Sequence, residues 1–254
     1  MRRLSLLCAL AAALALAGCA ERSISNSGYE VGHGYHGYYA AANPFYRGEL
    51  TEFDVLGITF EKSPSDDEIA RSAAAFRRIA ARRGAPILVI QSGAAIPDDP
   101  MVAALDRYFA VIPFSGVPLA GHEITAEKPA PADETQRYGH ALRLAAARGG
   151  ADLIFCYWGV LESAAEDEAT KGISWLPIIG GVIPDETQHM RIRLKVAVID
   201  VKTGSWAMFM PTPFTDTALS AAANRAVADQ GQVEKLKAEA YKAAVDAFLA
   251  KYAG

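Results

Sequence analysis

The sequence is poor in cysteine, with 3 in 254 residues, which excludes a scaffold held by several disulfides. It lacks a cationic excess: 25 Lys and Arg stand against 29 Asp and Glu, a formal net charge of −4. That balance argues against a nucleic-acid partner, since contact with phosphates needs a surplus of Lys and Arg. Beyond the first twenty residues it has no run of about 18 apolar residues, the length that marks a membrane-spanning helix. It also lacks the short signatures of common enzymes: no G-x-S-x-G, no H-E-x-x-H, no P-loop, and no G-x-G-x-x-G after a predicted strand. No metal or cofactor is implied. What remains is globular, 51% hydrophobic and 21% charged, enough for one large domain with a sizeable core.

The N-terminus carries a distinct pattern. Arg2 and Arg3 precede an apolar run from Leu4 to Leu16, broken only by Ser5. The run is too short to cross a bilayer comfortably and suits the hydrophobic region of a secretory signal. It ends in Leu16-Ala17-Gly18-Cys19, which resembles the lipobox of bacterial lipoproteins. The resemblance implies cleavage before Cys19 and acylation of its thiol. It further implies the outer membrane, because Ala20 and not Asp follows the cysteine. Two or more acyl chains anchor stably where one is marginal. Residues 1–18 are therefore expected to be a signal peptide. Of the three cysteines only Cys156 would then keep a free thiol.

Residues 19–48 read as a lipidated flexible tether, rich in Ser, Gly, Tyr, Ala and Asn and without a period. Within it His33 and His36 stand three apart in a Gly-Tyr stretch. Two histidines can share a metal, but no third ligand lies nearby, so a plain linker is the better account.

Residues 49–254 read as one periplasmic α/β domain. Phe53–Phe60 reads as a strand. Ser65, with Glu68 three residues on, opens a helix whose Ile69, Ala73, Phe76 and Ala80 share one face. Arg77, Arg78, Arg82 and Arg83 fall mostly off that stripe and read as a solvated face. Strands are expected at 87–91, 109–114 and 153–161, with helices opened by Asp98 and Asp133 between them. The 153–161 run alternates poorly and is expected at the sheet centre, covered on both faces. Residues 162–189 form an excursion, then 190–201 a strand with Arg191, Arg193 and Lys195 on a wet face. Asp200–Gly204 is a turn leading to a hairpin partner at 205–210. A long helix is expected from about Thr217, with Gly231 as a candidate break. The fold class is thus α/β: a single three-layer domain with a mixed sheet, helices on both faces and a long C-terminal helix.

Two phrases in this order carry a resemblance. Gly150-Ala151-Asp152-Leu153-Ile154 leads into one strand, and Asp200, Thr203 and Gly204 close the strand of IRLKVAVIDVKTGSW. This resembles periplasmic α/β lipoproteins related to CsgG and LpoB, whose fold is also similar to the N-terminal domain of TolB. The likeness covers about residues 85–252. It implies a non-catalytic adaptor or assembly lipoprotein in cell-envelope biogenesis or transport. The matching residues are turn formers and helix stops, so no catalytic role passes to them. The 162–189 excursion is too short for two clean transmembrane strands of about 9–11 residues, which disfavours a pore.

Few residues offer chemistry. Ser92 and Ser115 each follow a strand, and a serine hydrolase would need one of them beside His122, His140 or His189. No spacing selects such a pair. Cys156 lies inside an apolar strand and reads as a small buried hydrophobe. The candidate interaction residues are Trp175, Leu176, Ile178 and Ile179, in an apolar stretch beyond an acidic flank. A tryptophan in an apolar patch is a frequent interface signature, and the alternative is a hairpin folded over the core. The expected partners are the membrane through the lipid on Cys19, and an envelope protein or a second copy of the chain. A periplasmic serine hydrolase or peptidase, and a homo-oligomeric ring, are the competing functions.

Overall fold

A computed structural model describes residues 19–26, 46–58, 63–118, 132–167, 186–220 and 225–253. Among these residues seven strands form one mixed sheet. They are β1 (Cys19–Ser23), β2 (Pro86–Gln91), β3 (Ala110–Phe114), β4 (Leu153–Asp167), β5 (Glu186–Asp200), β6 (Trp206–Phe209) and β7 (Phe214–Ser220). Five helices accompany them: α1 (Glu52–Leu56), α2 (Asp66–Ala75), α3 (Asp99–Asp106), α4 (Ala132–Arg148) and α5 (Arg225–Tyr252).

The spine is the antiparallel pair β4 and β5, each of 15 residues, in register from Leu153↔Asp200 to Asp167↔Glu186. At the inner end, where β4 begins, β2 pairs with it in parallel and β3 pairs in parallel with β2, while β6 lines β5. At the outer end β2 stops at Tyr157, and antiparallel β1 takes over that edge from Val160 to Ala164. Likewise β7 takes the edge of β5 beyond β6. Successive side chains of a strand point to opposite faces, and two cores follow. One face buries Phe155, Tyr157, Val196 and Val198 against Met101 and Leu105 of α3 and Leu236, Tyr241 and Phe248 of α5. The other buries Ile154, Cys156, Trp158 and Ala197 against Val55 of α1 and Leu142 and Ala146 of α4. The three-layer α/β architecture, with helices on both faces and a long C-terminal helix, is the one the sequence leads to.

Several expectations need correction. Residues 52–56 are helix, not strand. Thr51 Oγ1 accepts from the Asp54 amide, the Asp54 carboxylate accepts from the Thr51 amide at 2.8 Å, and Gly57 ends the turn at φ 65°. That reciprocal cap outweighs the alternation of Phe53 and Val55. In α2 Ser65 caps the Glu68 amide, but the helix stops at Ala75 and buries none of its residues. Ile69 and Phe76 stay exposed where a core-facing stripe was expected. The strands flanking the excursion run on to Asp167 and restart at Glu186, which shortens it to 168–185. Residues 214–220 are a strand, so the last helix starts at Arg225, and Gly231 lies within it without breaking it. The start of the expected tether belongs to the domain: Cys19–Ser23 is sheet and Ile24 is core. His33, His36, His122, Trp175, Leu176, Ile178 and Ile179 lie outside the described residues.

Candidate functional site: the joint between the first two strands

The sheet has a joint where β1 and β2 meet end to end along β4. The β1 register ends at Ser23↔Val160 and the β2 register at Gln91↔Tyr157. A 3-10 turn, Ile24–Asn26, fills the gap. Gly159 of β4 lies directly beneath it: a Cβ there would fall 2.5 Å from the Ile24 Cδ1. A glycine inside a strand often marks such close approach.

The joint is polar and buried. Ser25 Oγ donates to the Ser92 carbonyl at 2.6 Å and accepts from Gln91 Nε2 at 3.0 Å. Gln91 Oε1 accepts from Tyr157 Oη at 2.6 Å and from the Asp98 amide at 2.8 Å. Ser92 Oγ accepts from the Leu50 amide at 2.9 Å and donates to the Leu50 carbonyl at 3.2 Å. That carbonyl also accepts from Trp158 Nε1 at 2.6 Å. On the other side Asp98 Oδ2 accepts from Tyr241 Oη at 2.5 Å and Lys237 Nζ at 2.9 Å. Burial pushes the Tyr157 and Tyr241 hydroxyls well above the ordinary phenol range, so both act as neutral donors. The network ties residues 24–26 and 46–50 into the domain.

The joint also occupies a topological switch point. Strands β3 and β4 flank β2, and their connecting helices α3 and α4 lie on opposite faces. Open α/β sheets bind ligands in the crevice at the carboxyl end of such a strand. Here the chain's own N-terminal segment sits in it. Gly93, at φ 79° just after β2, has the Tyr46 ring and Ser25 so near that a Cβ would fall 2.9 and 3.2 Å from them.

The two candidate nucleophiles are placed differently. Ser92 is 1% exposed, with its hydroxyl committed to Leu50 on both its donor and acceptor sides. Ser115 is exposed and accepts from the Val117 amide. His140 is exposed on α4. Among the described residues neither serine hydrogen-bonds to a histidine, the contact a base would make. Cys156 is fully buried at the sheet centre, and burial pushes its thiol up. Among the described residues no group of three or more candidate ligands could hold a metal, and no helix is long and apolar enough to cross a membrane.

Beyond the joint the outer end carries charge. Arg191 and Arg193 of β5 both reach Glu162 of β4, and Arg191 holds that carboxyl below its ordinary range. Lys195 pairs with Glu52 of α1 and lies 5.2 Å from the Trp158 ring centre. The predicted wet face of β5 is therefore a row of cations that meets neighbouring carboxylates. Sequence reasoning missed Ser25, Leu50, Gln91, Tyr157 and Asp98 as one network. No local signal joins them, since their partners are 66 residues apart or more in most of these bonds.

No curated protein matches the chain. A family model described as YafT bacterial lipoprotein matches residues 51–251, from the cap of α1 to the last turn of α5. The match spans both faces of the sheet, and the chain belongs to the YafT bacterial lipoprotein family.

Proposed function

We propose that the chain is an outer-membrane lipoprotein facing the periplasm, acylated on Cys19, that acts as an adaptor or assembly factor through protein–protein contact. Envelope biogenesis or transport is the setting that the resemblance to CsgG and LpoB suggests. The observation that supports it most is the register of β1: Cys19 pairs with Ala164, three residues from the end of β4. An acylated Cys19 would then be fixed to the outer end of the sheet, with no loose linker between them. The segment holding Trp175, Leu176, Ile178 and Ile179 leaves and re-enters that same end, at Asp167 and Glu186. The β1 strand and the two flanking ends of that segment thus share one pole. The committed hydroxyl of Ser92 favours an adaptor over a hydrolase.

The test combines two variants in intact cells. Cys19→Ser should abolish acyl labelling and release the protein from the outer-membrane fraction. Trp175→Ala with Ile179→Ala should keep the melting temperature and lose a specific cross-linked partner. A double variant that melts early yet keeps every partner would place those side chains in the core and defeat the adaptor role. Self-cross-links alone would point to a homo-oligomer.

A further inference from the structure

We propose that the inner pole of the domain, opposite the Cys19 end, is a docking surface for an acidic protein. Five segments of the chain converge there. The backbone of Gly84 donates to Tyr108, Asp152 to Pro86, Val201 to Asp152 and Ala81 to Tyr252, which gathers the segments before β2, β3 and β4, the β5–β6 turn and the end of α5. The first of these brings Arg77, Arg78, Arg82 and Arg83 and no acid. The others add Arg107, Arg148, Lys202 and Lys251 against Asp106, Asp152 and Asp200. All eight cations are exposed. Asp200 accepts from the amide and hydroxyl of Thr203, and Asp152 meets Arg82 at 3.5 Å. Eight cations against three carboxylates, in a chain of net charge −4, is a segregation that composition alone hides.

The kind of partner follows from what accompanies the charge. Six of the eight are arginine, whose planar fork suits carboxylates and whose face stacks on aromatics, as Arg83 does over Tyr108 at 5.0 Å. Arg77 donates its amide to Ser205 Oγ, so exposed Phe76 and Trp206 flank one hydrogen bond. Arginine beside exposed aromatic rings is the composition of protein interfaces. The orientation of this pole rests on the anchoring proposed above. With Leu153 and Ala164 eleven residues apart on β4, the pole stands roughly 35 Å from Cys19, facing away from the membrane.

The test uses the full chain purified in detergent, with poly-L-glutamate as the acidic probe, and phosphatidylglycerol vesicles and isolated peptidoglycan as competitors for the assignment. Poly-L-glutamate binding should weaken steeply with salt. It should fall at least tenfold in Arg78→Glu/Arg107→Glu/Arg148→Glu and stay within twofold in the control Lys235→Glu, both with unchanged melting temperatures. In cells, a photo-cross-linker at position 76 or 206 should capture an acid-rich protein, and the triple reversal should abolish that capture. Tighter binding to vesicles or peptidoglycan than to poly-L-glutamate, or equal losses in the two variants, would overturn the proposal. The Cys19→Ser chain separates the two ideas: it should lose the membrane and keep poly-L-glutamate binding.

Discussion

The hydroxyl of Ser92 closes on the backbone of Leu50, 42 residues earlier, pairing with both the amide and the carbonyl of that residue. The first prediction follows. Ser92→Ala leaves the buried Leu50 amide without a partner, which costs about 1–3 kcal/mol. For a domain of this size that lowers the melting temperature by several degrees, at roughly 2–4 °C per kcal/mol. Ser115→Ala, at an exposed turn, should shift it by less than about 2 °C, since surface changes stay within about 0.5 kcal/mol. Calorimetry on the two variants checks the contrast. Equal melting would mean that the Ser92 contact carries no stability.

Asp98 supplies the second. Its sequence position promises a helix cap, yet its side chain makes no cap bond and turns to Lys237 and Tyr241 on α5 instead. Asp98→Ala strips an acceptor from both and should cost about 2 kcal/mol. That is below the 3–5 kcal/mol of a fully buried pair, because Asp98 keeps partial contact with water. Asp98→Asn keeps an acceptor and should cost about half as much, in line with a charged bond being roughly twice a neutral one. In the Tyr241→Phe background the Asp98→Ala loss should shrink. Strict additivity by denaturant titration would show that the two groups do not cooperate.

How far the sequence reveals this molecule depends on the range of the interaction. Central β4 is readable because residues 153–161 are apolar on both faces, and the turn at Asp200–Gly204 because its side chains satisfy its own backbone. The short α1 is misread because a two-residue alternation resembles a strand until the Thr51–Asp54 cap is weighed. Strand β7 is missed because Phe214–Ser220 has no alternation of its own and gains its form from pairing with β5. The joint is invisible for the same reason. Gln91 reads as a polar end to a strand, and only the fold brings Ser25, Tyr157 and the Asp98 amide to it.

Glu49 gives a pH dependence. Burial raises its carboxyl above the ordinary range, an effect that the Ser23 hydroxyl at 2.6 Å offsets only in part. The folded state therefore holds this proton more tightly than the unfolded chain. Stability from this group is fully present below the unfolded value, near 4.5, and is lost as pH rises through the raised folded value. Glu49→Gln keeps an acceptor for Ser23 and removes the charge. At pH 7 it should melt higher, by no more than about 3 °C. Near pH 4 the two chains should melt together. A variant that melts lower at pH 7 would show that attraction to Lys195, which favours the carboxylate, outweighs the cost of burial.

Gly159 offers the most direct handle on β1. Its missing side chain leaves room for Ile24, which is 1% exposed and is the first core residue after β1. A methyl group at 159 would meet Ile24 at 2.5 Å and Leu194 at 2.8 Å, both side chains and not backbone. Leu194 is held by β5 within the long central pair, whereas Ile24 sits in a short turn at the end of a five-residue strand. Ile24 should yield first. Gly159→Ala should therefore cost about 1–3 kcal/mol, as overpacking does, and the loss should be local. Amide exchange should speed up at Arg22 and Ser23 by more than at Phe155 and Val196, and proteases should cut sooner near Ile24. Uniform acceleration across β4 and β5 would instead place the strain in the central pair. If Cys19 is held to the domain by this strand, the same variant should keep its acyl chain and its membrane fraction while the domain gains freedom from its anchor.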